Sequence, residues 1–379
     1  MKNKSSFASC HLAIATLLFP IYTNAQTLSI EEYHPPSTLV VPEHIVTRAK
    51  YPFIDVHNHQ WRMDTQNLDS LIAEMDSLNM AVMVNLSGRG YSNPGNSSIA
   101  DEIELLRKSL ENIRKSHHDN RLIVFTNIRF EGFGEKGWVE GTVKQLEADV
   151  QMGAKGLKIY KNLGFSVKDQ NGQRVPVDDL RLDPIWEKCG ELGIPVLIHS
   201  GDPFQFWLPK DKNNERWLEL KEHPERYRDP AVYPPWEQIM SEQHNVFRKH
   251  PKTIFISAHL SWMGYDLEHL GKLLDEIPNM YTEIGAVLAE LGRQPRFARE
   301  WFIKYQDRVL FGKDLWYPKE YHVYFRTLER ADEYFDYYRR RHAFWKIYGL
   351  DLPDEVLKKL YYRNALKILP GVDASMFPQ

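Results

Sequence analysis

The sequence predicts a single (β/α)₈ barrel of the α/β class, and three observations carry that prediction. Short β-branched apolar runs alternate with longer segments of helical periodicity, which is typical of repeated βα units and a parallel sheet. Eight such runs occur along the chain, whereas an open, doubly wound sheet usually has about five to seven strands. The glycine-rich first turn of a dinucleotide-binding sheet is also absent.

Each predicted strand is built on a short apolar run rich in β-branched residues. They are Phe53–His59, Ala81–Ser87, Leu122–Arg129, Gly156–Tyr160, Pro195–Ser200, Thr253–Leu260, Met280–Ala286 and Arg308–Asp314. Between them, leucines and other apolar residues recur at the i, i+3, i+4, i+7 spacing of a helix with one buried face. This spacing is clearest over Leu68–Leu78 and Leu267–Leu274, and Asp354–Leu369 is predicted as the last helix.

Two stretches are longer than the loops that a minimal barrel needs. Phe204–Met240 follows the fifth predicted strand, and Tyr317–Leu350 follows the eighth. Loops at the carboxyl ends of barrel strands build the active site, so we expect insertions there to form lids and substrate walls. Phe206 and Trp207, at the start of the first insertion, are the predicted wall residues, and packing of the insertion on itself is the alternative.

The chain begins with the pattern of a secretory signal. Lys2 and Lys4 precede an apolar run from Leu12 to Tyr22, and the small residue Ala25 follows. We therefore predict a signal peptide over residues 1–25, an extended lead-in over 26–50 and one catalytic domain over 51–379, with a secreted or periplasmic location. The run is shorter than the about 20 residues that span a bilayer, so no stable membrane insertion is expected after cleavage. A buried N-terminal helix is the alternative.

Composition narrows the partners. Apolar residues make up 42% of the 379 residues and the formal net charge is −3, so a large core is expected and no basic surface for nucleic acid is indicated. Only Cys189 remains once Cys10 is removed with the signal, which excludes an intramolecular disulfide. A small-molecule substrate is the expected partner, and homo-oligomerisation is left open.

Five polar residues end predicted strands. His57 and His59 stand two apart on the first strand, so their side chains point to the same face. His199, His259 and Asp314 end the fifth, sixth and eighth strands, where barrel enzymes carry their catalytic groups. Three imidazoles and a carboxylate suit a metal such as Zn²⁺, and a fourth imidazole can move protons. Separately satisfied histidines and a helix-capping aspartate are the alternative.

The motifs FIDVHNH, GLKIYKNLG, PVLIHSGDP, FISAHLSW and VLFGKDLW resemble the amidohydrolase superfamily, and its amidohydrolase-related branch in particular, from Pro52 to Pro370. The resemblance implies one divalent metal, Zn²⁺ or else Mn²⁺, held by His57, His59, His199 and Asp314. It implies that His259 is catalytic, and it leaves Asp314 as ligand, general base or both. Lys158 is expected to contact an anionic group of the substrate or to support one of the metal-ligating residues. The alternative is a carboxylated lysine that bridges two metals.

The sequence assigns further polar residues to the pocket or to the surface, on position along the chain alone. The strand-end residues that could line the pocket are Asn85, Asn127, Arg129 and Glu283. Asp55 shares the inward face with His57 and is expected below the metal. Six other histidines are predicted to lie at the surface: His117, His118, His223, His244, His250 and His342.

The predicted activity is hydrolysis of an ester, lactone or amide by metal-activated water, with His259 polarising the carbonyl and Asp314 carrying the proton. Two alternatives stay open within the enzyme class: a nonoxidative decarboxylase of an aromatic or unsaturated carboxylate, and a lactonase that needs no metal. A catalytically silent barrel that only binds ligands is the alternative from another class.

Overall fold

The structure is a computed structural model that describes residues 28–29, 31–90, 98–339 and 345–379. The predicted signal peptide, residues 1–25, lies outside the described residues. Two compact units are distinguished, Met1–Val40 and Val41–Gln379. The described part of the first unit is irregular chain with a turn at residues 31–32, and the second unit holds all the helices and strands described below.

The second unit is built on a ring of short parallel strands. They are β1 (Phe53–Asn58), β2 (Met80–Asn85), β3 (Leu122–Val124), β4 (Thr126–Asn127), β5 (Leu157–Ile159), β6 (Val196–Ile198), β7 (Phe255–Ser257), β8 (Met280–Glu283) and β9 (Val309–Leu310). Each of the eight predicted strands is present, the third as the pair β3 and β4. All end one to four residues earlier than predicted, and His59, His199, His259 and Asp314 lie just beyond the ends of their strands.

Two sheets, β1-β2-β3 and β4 to β9 in chain order, make up the ring. At Phe125, between β3 and β4, the N–H donates to Asn85 O (2.9 Å), and the next N–H, of Thr126, donates to Gly156 O (2.9 Å). At the other gap, Val56 N–H donates to Phe311 O (2.9 Å), and Asn58 forms a parallel bridge with Asp314. These bonds continue the ladder across both gaps, and the predicted (β/α)₈ class is confirmed.

Helices follow the strands. They are α1 (Leu68–Leu78), α2 (Ile99–Lys115), α3 (Trp138–Met152), α4 (Asp183–Glu191), α5 (Trp217–Glu222), α6 (Trp236–Lys249), α7 (Leu267–Glu276), α8 (Leu288–Arg293), α9 (Pro295–Lys304), α10 (Pro318–Glu329), α11 (Asp354–Lys358) and α12 (Asn364–Ile368). The side chain of Asn67 caps α1 by accepting from Ser70 N–H (3.1 Å). Among the described residues, none of the helices has both the length and the apolarity to cross a bilayer.

Ion pairs bind the segment after β6 to its surroundings. The buried guanidinium of Arg216 pairs with Glu219 (2.9 Å) and with Glu290 of α8, and Lys161 pairs with Asp202 (2.7 Å). The segment after β9 contains α10 and an antiparallel pair, β10 (Phe335–Asp336) with β11 (Lys346–Ile347). Both segments therefore carry ordered structure of their own.

Two histidines predicted at the surface are buried, and that prediction is wrong for them. His244 is 4% exposed and His250 is 5% exposed. Both lie at the inward face of α6 or its end, where His244 contacts Ser261 (3.3 Å) and His250 contacts Asp183 (3.0 Å). The many charged neighbours in the sequence concealed that α6 buries one face.

Candidate metal centre

Three side chains converge at the carboxyl end of the barrel. One ligand atom each of His57, His59 and Asp314 lies within 4.8 Å of the other two. The Asp314 Oδ1 atom is 3.5 Å from His57 Nε2 and 3.7 Å from His59 Nε2. The i, i+2 spacing at the end of β1 supplies the two imidazoles, and the bridge between Asn58 and Asp314 brings in the carboxylate.

Hydrogen bonds fix the orientation of the His57 ring. Its Nδ1 lies 2.9 Å from Glu283 Oε1, and because an ionised carboxylate only accepts, Nδ1 carries the proton. The Nε2 atom is then left with its lone pair, buried and without a hydrogen-bond partner. Burial, together with the charge of Lys158, lowers the pKa of His57 well below its usual value and keeps the ring neutral. A neutral imidazole with a buried, unused lone pair is suited to bind a metal.

Glu283 lies at the centre of this arrangement. It is fully buried, and its Oε1 accepts from the His57 ring and from the His259 backbone N–H (2.7 Å). Its Oε2 accepts from the Gly285 N–H. Sequence reasoning counted Glu283 only as a pocket-lining candidate, whereas the structure joins it to both the proposed ligand and the proposed catalytic histidine.

His259 sits on a left-handed turn. Four successive residues, His259 to Trp262, have φ between 51° and 58°, a region that costs roughly 1–2 kcal/mol per residue outside glycine. The Ser261 hydroxyl ties this turn to Ser257 (2.5 Å) and Gln243 (3.3 Å). The His259 Nδ1 donates to Gly285 O (2.7 Å), and Trp262 packs on the ring (centroids 4.4 Å apart). Strained backbone held this way is typical of functional sites.

His199 lies beside His259, with ring centroids 4.5 Å apart. Its Nε2 is buried without a hydrogen-bond partner, and burial, with the charge of His259 next, lowers its pKa well below the usual value. It is not in the group of atoms within 4.8 Å of one another that His57, His59 and Asp314 form. The structure therefore brings together three of the four predicted ligands most closely.

Opposite charges meet at this centre. Burial opposes ionisation of Asp314, whereas positive charge on the neighbouring rings, His57 first, or on Arg339 lowers the pKa of that carboxyl. Lys158 is 1% exposed, its Nζ has no hydrogen-bond partner, and it lies 5.6 Å from the ring centroid of Tyr160. Burial lowers the pKa of this amine to about 7, against the charges of Asp314 and Glu283.

The structure adds Arg339, which sequence reasoning missed. It lies in the segment after β9, with its guanidinium 5.5 Å from the ring centroid of Tyr338. Its charge lowers the pKa of Asp314 less than the three histidines do, so it acts on the same centre electrostatically. Its location within the predicted insertion Tyr317–Leu350, which follows a catalytic strand, was the available signal.

Two predicted polar residues support the floor of the centre. Asp55 accepts from the His57 N–H (3.0 Å) and from Tyr321 OH (2.6 Å), and burial raises the pKa of its carboxyl to about 6. Asn85, the last residue of β2, bonds the chain that follows β1, because its Oδ1 accepts from the Gln60 N–H (2.9 Å).

The other predicted lining residues lie at different places. Arg129 pairs with Glu102 (2.8 Å) at a separate cavity. Phe206 is 3% exposed, and Trp207, in the segment after β6, packs on Phe165 in the segment after β5 (ring centroids 6.0 Å apart). Their predicted role as a substrate wall stays a prediction.

Comparison with known families agrees with this geometry. The amidohydrolase family model (Amidohydro_2) matches residues 54–371. The chain belongs to the amidohydrolase family. It is an enzyme of the amidohydrolase superfamily with a barrel and a metal-binding residue set. No curated protein matches its sequence.

Solved structures share the amidohydrolase barrel at low identity. An uncharacterised TIM-barrel protein from Bordetella bronchiseptica is 16% identical over 83% of this chain and 97% of its own, with a TM-score of 0.50. A dihydroxybenzoic acid decarboxylase from Polaromonas sp. JS666, with bound manganese and 2-nitroresorcinol, is 14% identical over 84% and 96%, with a TM-score of 0.52. A 5-carboxyvanillate decarboxylase from Novosphingobium aromaticivorans, complexed with manganese, is 15% identical over 86% and 99%, with a TM-score of 0.50.

Proposed function

We propose that this amidohydrolase is a metal-dependent hydrolase of an ester, lactone or amide in a small anionic substrate. The observation that carries the proposal is the position of the Asp314 carboxylate, 3.5–3.7 Å from the Nε2 atoms of His57 and His59. Ionised at neutral pH, Asp314 can accept a proton from water, which is the first requirement of hydrolysis.

The residues that would hold one divalent ion, Zn²⁺ or Mn²⁺, are His57, His59, His199 and Asp314. The unpartnered Nε2 atoms of His57 and His199 fit this role. A divalent ion bound there supplies Lewis-acid chemistry, since it polarises a carbonyl oxygen and acidifies water. A lactonase that works without metal on the same residues is the alternative to this part of the proposal.

His259 would act on the substrate through Nε2, because its Nδ1–H is committed to Gly285 O. In that position the ring can polarise the carbonyl and return a proton to the leaving group, while Asp314 accepts the proton from water. The strained turn and the Glu283 contact hold the ring in one orientation before substrate arrives.

Two cationic side chains near the site indicate that the substrate is an anion. Lys158 has no hydrogen-bond partner, and Arg339 makes a cation–π contact with Tyr338. A buried ammonium without a partner is costly, so a substrate carboxylate that reaches it gains more than it would in water. We therefore expect substrates that carry a carboxylate besides the bond that is cleaved.

Nonoxidative decarboxylation of an aromatic acid is the second candidate. Two observations favour it: the neighbours named as decarboxylases with manganese, and the aromatic wall where the half-exposed Trp61 stacks on His59 (centroids 5.1 Å apart, planes at 5°). Loss of CO₂ leaves a carbanion carbon on the substrate that needs a proton donor, whereas the Asp314 carboxylate is placed to accept a proton. For this reason hydrolysis is preferred, with a catalytically silent binding barrel as the remaining alternative.

The N-terminal residues 1–25 are proposed to be a secretory signal, which would place the enzyme outside the cytoplasm. The lead-in 26–50 would then begin the mature chain, and 51–379 would be one catalytic domain. Sequencing the N-terminus of protein exported by its native host tests this proposal. A mature chain that still begins at Met1 would refute it.

An assay panel separates the candidate activities. The Mn²⁺- or Zn²⁺-loaded enzyme is incubated with lactones, esters and amides of small carboxylic acids and with aromatic carboxylates, while acid and CO₂ release are recorded. We expect acid without CO₂, and no turnover by Asp314→Asn. Release of CO₂ would establish the decarboxylase instead, and an inactive but metal-loaded enzyme would favour the binding protein.

A further inference from the structure

A cavity of about 280 Å³ lies between β4, α3 and the first residue of α2, apart from the metal centre. Its apolar wall is formed by Ile99, Ile128, Trp138 and Leu146, with Gly137 and Gly141 leaving space on the helix side. Its charged groups are Arg89, Arg129, Glu131 and Asp149, with Gln145 beside them. The volume is near the lower end of the range for small-molecule pockets, which begins at about 300 Å³.

Arg89 is an incompletely satisfied cation in this wall. The side chain is 6% exposed, and both Nε and Nη2 are buried without a hydrogen-bond partner. Only Nη1 is engaged, in a long bond to Asn127 O (3.4 Å) and at 3.7 Å from Asp149 Oδ2. Burying guanidinium donors without acceptors is costly, so a ligand that supplies acceptors is favoured.

The charged groups next to Arg89 already have other partners. The Asp149 carboxylate is already bonded by Thr126 Oγ1 and by Gln145 Nε2 (2.8 Å). Arg129 is paired with Glu102 and Glu131. The unused Nε and Nη2 donors of Arg89 lie side by side on one edge of the guanidinium, which matches the two oxygens of a carboxylate.

We propose that this cavity binds a small monocarboxylate with a flat apolar body. The carboxylate would accept from Nε and Nη2 of Arg89, and the body would pack against Trp138, Ile128 and Leu146. This is a second site, independent of the proposed hydrolysis. It is adjacent to the metal centre along the chain, since Ser87, two residues before Arg89, bonds His59 Nδ1 (2.7 Å).

The chain offers a variant that fills the cavity without touching Arg89. A Cβ built on Gly141 meets no atom within 4 Å, and Gly141 lies inside α3, where most side chains are tolerated better than glycine. Gly141→Leu should therefore fold and occupy the space of the ligand body. Glu140→Leu, at the exposed preceding position of the same helix, is the matched control, and Arg89→Met removes the donors.

The test is isothermal titration calorimetry of the metal-loaded, full-length enzyme with benzoate, and with benzamide as its neutral analogue. We expect one benzoate site per chain that disappears in Gly141→Leu and persists in Glu140→Leu. Benzamide, and benzoate with Arg89→Met, should bind that site roughly 10- to 100-fold more weakly, as for loss of a charge-assisted hydrogen bond.

Any benzoate bound at the metal centre does not confuse the result, because the cavity site is the one that Gly141→Leu abolishes. If Arg89→Met does not fold, Gly141→Leu against Glu140→Leu decides alone. Benzoate binding unchanged in Gly141→Leu would overturn the proposal, and equal binding of benzamide and benzoate would overturn the role of Arg89.

Discussion

Replacing Glu283 by glutamine changes one atom at the centre of the site, and the structure indicates the cost. The glutamine amide must turn its NH₂ group either toward Gly285 N–H or toward the two donors at Oε1, His57 Nδ1–H and His259 N–H. The first orientation loses one buried hydrogen bond, about 1–3 kcal/mol, and leaves His57 with a neutral acceptor. The second drives the His57 proton to Nε2, where a metal could no longer bind.

We therefore expect Glu283→Gln to weaken binding of Mn²⁺ or Zn²⁺ by about 10- to 100-fold, or about 1.4–2.8 kcal/mol. The dissociation constant is measured by competition with a metal-sensing dye, and the folded state is checked by circular dichroism. Glu242→Gln is the control, because Glu242 is also buried but bonds Arg174 and Val177. It should lower the melting temperature and leave metal affinity unchanged. Metal affinity of Glu283→Gln within a factor of about two of wild type would refute the argument.

Three further predictions follow from single residues. Asp314→Asn should lower kcat/KM on the substrate found in the panel by about 10²- to 10⁴-fold, the usual range for a lost proton acceptor, with an unchanged circular dichroism spectrum; retained activity would exclude it as the base. His244 is buried, and burial lowers its pKa from 6.5 to about 3, so the native state takes up its proton later than the unfolded state as pH falls. Stability should drop by up to about 1.4 kcal/mol per pH unit between 6.5 and 3 from this group, and His244→Gln should show a shallower drop in urea unfolding at pH 4–6.5; equal slopes would contradict the burial. Phe206→Ala and Trp207→Ala should raise KM at unchanged melting temperature if the pair forms a substrate wall, and a lowered melting temperature with unchanged KM would assign them to packing.

Most of the barrel could be predicted because its strands are short apolar runs that alternate with segments of helical periodicity. Phe53–His59 differs from β1 by one residue, and the Leu68–Leu78 period reproduces α1. The break at Phe125 could not be predicted, since it arises where the backbone must pair with β2 on one side and β5 on the other. The predicted strand continued to Arg129, whereas β4 ends at Asn127.

The proposed site was less accessible to sequence reasoning than the fold. The His57 and His59 spacing predicts a shared face, but the contact between Glu283 and His57 spans 226 positions of the chain, and only the closed arrangement of strands creates it. The left-handed turn at His259 has no glycine to mark it. Arg339 and the buried His244 lie in segments with many charged residues, which single-sequence patterns assign to solvent.

Metal content tests the central claim most directly. The purified enzyme is loaded with Mn²⁺ or Zn²⁺, dialysed, and analysed by inductively coupled plasma mass spectrometry beside His57→Asn and His259→Asn. The claim that His57, His59, His199 and Asp314 bind one ion while His259 acts on the substrate predicts one metal per wild-type chain. It also predicts one metal per chain in inactive His259→Asn and none in His57→Asn. Two metals per chain would make Lys158 a bridging ligand, and active enzyme without metal would contradict the account.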